Sequence, residues 1–64
     1  MKKKEMRNIA KKIAESELII ANSSDKNEIQ KAKGTILALS NRITNLNDML
    51  ELDVLVQELL AQKN

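Results

Sequence analysis

IQKAKGTILALSNRITNLNDML, residues 29–50, is the stretch whose reading decides the fold. Its apolar residues Ile29, Ala32, Ile36, Leu39, Ile43, Leu46 and Leu50 are separated by alternating steps of three and four. That spacing places them in one seam along an α-helix, and such a seam is stable only when another helix covers it. The stretch fills a third of a 64-residue chain, so the sequence reads as all-α and speaks of packing more than of chemistry.

Upstream, Met6, Ile9, Ala10, Ile13, Ala14, Leu18, Ile19 and Ile20 recur at helical spacing and predict a first helix over about residues 3–21. Asn22-Ser23-Ser24-Asp25 then ends it, because these side chains compete for backbone hydrogen bonds and favour turns and caps. Ser24 or Asp25 can cap the next helix, and Asp25 with Glu28 has capping-box spacing. The second helix is expected over about residues 26–46. It carries the core seam Ile29, Ile36, Leu39, Ile43 and Leu46, with Ile36, Leu39 and Ile43 the most buried.

Thr44 to Asp48 is the next expected break, with Asn47 as the cap and Asp48 near the electropositive end of a third helix over about residues 48–62. A single rod through this point is the alternative, since Leu46 and Leu50 keep the register; the break is preferred. Gly34 falls at the outermost position of the second helix, where it costs about 1 kcal/mol against Ala. It is either simply tolerated there or, together with Ala38, lets another backbone come close.

The third helix is too apolar for one stripe. Leu52, Leu55, Val56, Leu59 and Leu60 make one face, and Met49, Leu50 and Val54 spill round its sides. A helix apolar nearly all round expects cover on more than one side. The face of Leu52, Leu55, Val56, Leu59 and Leu60 is therefore the expected partner or oligomer interface.

Composition removes whole classes of function. There is no Cys and no His, which excludes disulfides, thiolate metal sites and the usual neutral-pH acid or base. No catalytic residue, metal site or cofactor is expected. The serines have no His to activate them, and Glu15/Glu17 and Glu51/Asp53 are two apart, on different sides of a helix. One Gly cannot supply a phosphate loop. No run of about 20 apolar residues exists for a membrane span, and no apolar segment follows the N-terminal Lys residues as in a secretory signal.

A chain this short builds a marginal core, and oligomerisation is the means of reinforcement left to it. The expected architecture is an antiparallel helical hairpin with a short third C-terminal helix, one small domain over residues 1–64, completed by self-association or a partner protein.

The net charge of +2 hides an asymmetry. Lys2, Lys3, Lys4, Arg7, Lys11 and Lys12 crowd the N-terminus, while Asp48, Glu51, Asp53 and Glu58 lie towards the C-terminus. In a hairpin these ends can meet within a subunit or across a dimer, and that reading is preferred. The rival is a small nucleic-acid-binding protein whose basic cluster grips phosphates. With no aromatic residue to stack on bases, it ranks second. An amphipathic helix on an anionic membrane ranks last.

The Lys-, Asn- and Ile-rich, aromatic-free composition resembles that of small proteins from AT-rich bacterial or phage genomes. That likeness bears only on the source; within it two non-catalytic roles stay open, a small structural subunit of a larger particle or an accessory protein that occupies a host protein's groove. With neither a membrane span nor a secretory signal in the sequence, a cytoplasmic location is expected, or a virion-associated one if the protein is phage-encoded.

Overall fold

Helix α1 (Lys3–Asn22) is built on the spacing of Met6, Ile9, Ala10, Ile13 and Ala14, each at most 5% exposed. At 3.6 residues per turn these residues, with Ser16, span nearly half the circumference of the helix. One neighbour cannot cover so wide an arc. The computed structural model, which describes residues 2–62, solves this with two further helices, α2 (Lys26–Ser40) and α3 (Leu46–Gln62), and no strand among the described residues.

Both α2 and α3 pack on α1 and scarcely touch each other. Among the described residues α1 therefore supplies five of the nine buried apolar ones; Ala32, Ile43, Leu52 and Val56 supply the rest. Three helices with the middle one shared make a thin molecule, 34 × 25 × 16 Å. Ser16, buried among apolar neighbours, donates its hydroxyl to the Lys12 carbonyl oxygen at 2.9 Å, so the burial leaves no polar group unsatisfied.

The first connection is tied by short-range polar contacts. The Ser23 N–H donates to the Ile19 carbonyl at 2.8 Å and closes α1. Asp25 caps α2, its Oδ1 accepting from the Asn27 N–H at 2.9 Å. Glu28 does not reach back to the Asp25 N–H as in a capping box. Ser23 stands between them: its Oγ donates to Glu28 Oε2 at 2.7 Å and accepts from the Asp25 N–H at 3.1 Å.

The second connection corrects the expected boundaries. α2 stops at Ser40 rather than near Leu46, and α3 begins at Leu46 rather than Asp48. The Arg42 N–H to Leu39 and Ile43 N–H to Ser40 bonds (3.2 and 3.1 Å) span three residues and tighten the end of α2, as frequently happens at helix termini. The cap of α3 is Asn45, not Asn47: Asn45 Oδ1 accepts from the Asn47 N–H at 2.8 Å. Asp48 does sit in the first turn.

The seam is therefore continuous in spacing but not in structure. Ala32 and Ile43 are buried, Ile29, Ile36 and Leu39 are half-buried, and Leu46 and Leu50 are 69% and 59% exposed. Ile43 lies in the connection, outside both helices, yet only 5% of it is exposed. The physical reason is the arc on α1. A straight rod of α2 and α3 would cover one side of it and leave the other in water, whereas a break after Ser40 lets α3 cover the second side.

Gly34 lies on the exposed back of α2, and a Cβ added there would meet nothing within 4 Å. Among the described residues, no other helix's backbone comes close to it.

Candidate interaction surface

Each face of α3 has a different fate. Leu52 and Val56 are 7% and 4% exposed and belong to the core, with Leu55, Leu59 and Leu60 half-buried against it. The five residues expected to meet a partner thus form the face that holds α3 on α1. On the far side of the same helix, Leu46, Leu50 and Val54 are 69%, 59% and 55% exposed. They stand four residues apart, one above the next, and make an apolar ridge. Met49, 48% exposed, lies between the two faces.

A groove of about 220 Å³ opens beside this ridge, between α2 and α3 and over α1. Ile13, Ile36, Ile43, Leu52 and Val56 give it apolar walls, Met49 and Asp53 line its α3 side, and Ser40 and Glu17 complete the lining. Asp53 is exposed and Glu17 half-exposed, so carboxylates border an apolar depression. From Leu46 to Gln62, α3 carries Asp48, Glu51, Asp53 and Glu58 and no basic residue.

The cationic cluster lies elsewhere. Lys2, Lys3, Lys4, Arg7, Lys11 and Lys12 are all exposed, and Lys4, Arg7 and Lys11 share one line along α1. Arg7 and Lys11 line a depression of about 420 Å³ with Leu55, Glu58, Leu59 and Gln62. Lys12 and Arg42 line another with Glu5 and Leu39. Of the acidic residues of α3, Glu58 is the one that shares a depression with this cluster, beside Arg7 and Lys11.

The sequence carried a signal for the ridge, the surplus of apolar residues on α3, but not for which of its faces turns outwards. Among the described residues no helix is long and apolar enough to cross a membrane. No protein-family model, curated protein or solved structure matches this chain.

Proposed function

We propose that the chain is a non-catalytic interaction protein, an antiparallel hairpin of α1 and α2 braced by α3, that self-associates or docks on a partner protein through apolar helix faces. The observation that carries this reading is the ridge of Leu46, Leu50 and Val54, more than half exposed on a chain with few large side chains to spare for its own core. Burying apolar surface is worth about 25 cal/mol per Å², so a row of aliphatic side chains in water is a standing drive to associate. Leu52, Leu55, Val56, Leu59 and Leu60 serve the same end by fixing α3 on α1. Leu55 and Leu59 also line the open depression beside Arg7 and Lys11.

The test compares the wild-type chain with Leu46→Ser, Leu50→Ser and Val54→Ser combined, by light scattering and by fluorescence of an apolar dye. The expected outcome is dye binding, or a mass above 7.2 kDa, in the wild type, and loss of whichever is seen in the variant at unchanged helicity. A monomer whose dye binding the three changes leave intact defeats the reading.

A second reading, phosphate binding by the exposed line of Lys4, Arg7 and Lys11, is favoured by their common face on α1. Its mark is DNA binding that falls steeply as salt rises. The nearby Glu58 opposes it.

A further inference from the structure

We infer that the groove between α2 and α3, together with the outer ridge of α3, is the seat of a cationic amphipathic helix supplied by another protein. This rests on the interaction reading above and names the chemistry of the partner. The exposed area of the chain is 4976 Å², whereas the scaling law for folded monomers gives about 4100 Å² for 7.2 kDa. The excess, roughly 850 Å², goes with the thin shape of the molecule, 34 × 25 × 16 Å, which leaves apolar faces uncovered.

The surface is continuous. Met49 and Asp53 border the groove, and at 100° per residue Leu46 and Leu50 follow them round α3. A helix laid along this line would put one apolar side chain into the depression over Ile43 and Val56 and a second row against Leu46 and Leu50. The depression, about 220 Å³, is large enough for one aliphatic side chain.

Charge selects the partner. Asp53 stands between the groove and the ridge, Glu17 borders the groove from α1, and Glu51 lies beyond Val54, with no basic residue of α3 among them; Glu58, beside Glu51, shares a depression with Arg7 and Lys11. Lys or Arg flanking an apolar stripe complements this pattern, and complementary potentials favour the right partner and penalise an acidic one.

A second copy of the chain does not fit. Ridge against ridge would bring the Asp53 and Glu51 carboxylates of two copies together. The cationic line of Lys4, Arg7 and Lys11 is flanked by the half-buried Leu55 and Leu59, and Glu58 in the same depression would face the acidic ridge of a second copy.

The experiment titrates the full chain with two synthetic amphipathic helices of equal length, one with Leu and Lys, the other with Leu and Glu. The Leu/Lys peptide is expected to bind at least about tenfold tighter. Combining Leu50→Ser with Val54→Ser is expected to cost about tenfold in its affinity. Combining Glu51→Lys with Asp53→Lys should reverse the preference between the peptides; both positions are exposed, so the fold is expected to survive. A salt titration of the wild type provides the check that needs no variant: Leu/Lys affinity should fall as the screening length shortens from about 30 to 3 Å.

Equal binding of both peptides, or full affinity in the Ser variant, overturns the inference. Concentration-dependent self-association abolished by the Ser changes also overturns it, while leaving the interaction reading intact.

Discussion

Helix α1 brings six large apolar residues to the molecule and α3 nine, and the structure uses them in different ways. In α1 the buried ones form one broad arc over residues 6–16, with the cations outside, while Leu18 and Ile20 near its end are half-buried and Ile19 is 40% exposed. In α3 they encircle the helix, so that Leu52 and Val56 are covered while Leu46, Leu50 and Val54 remain in water. A sharply two-sided helix is satisfied by its own chain. A helix apolar on both sides can satisfy only one of them from within, and the other becomes available to something else.

The largest expected effect probes the two ends of this contrast. Ile13→Ala in α1 should destabilise the fold by about 2–5 kcal/mol, the usual cost of truncating a buried Ile. Leu50→Ala, on the outer side of α3, should fall within about 0.5 kcal/mol of wild type. Denaturant midpoints measure both. Comparable losses at the two positions would mean that the ridge is core after all.

Next comes the cap. Asn45→Ala should cost about 1 kcal/mol, because the Asn47 N–H loses its acceptor, whereas Asn47→Ala leaves that bond in place and should cost less. The reverse order would move the start of α3 to the position that spacing alone suggested.

Much of the fold is legible in the sequence. α1 and the break at Ser23–Asp25 follow from a two-sided stripe meeting a run of short polar side chains, and both are local signals. The second break was misplaced because heptad arithmetic runs on whether or not the backbone does. Leu46 and Leu50 keep the register of Ile36, Leu39 and Ile43 while belonging to a different helix.

Spacing alone suggests Asn47 as the cap of α3. The chain uses Asn45, with Ile43 drawn into the core two residues before it, a tertiary matter that no local window contains. The same limit applies to the candidate surface. That α3 had apolar residues to spare was visible in its composition. Which of its faces would turn outwards depended on the width of the arc on α1.

The smallest expected effect has the opposite sign. Gly34→Ala should stabilise the chain by up to about 1 kcal/mol, since the added methyl enters open space and the unfolded chain loses freedom. Thermal melting measures it. A loss instead would show that another backbone approaches this face in the assembled state, which would place a second contact surface on α2, away from the ridge.

Because α2 and α3 are each held by α1 and hardly by one another, the molecule has two doors on one frame. Either outer helix can swing away while the other stays closed. Slow amide exchange should therefore concentrate in the middle of α1, around Ala10 to Ala14, which opens only when both doors do. Ile43, buried in the core from the connection between them, keeps that connection in place when either one opens.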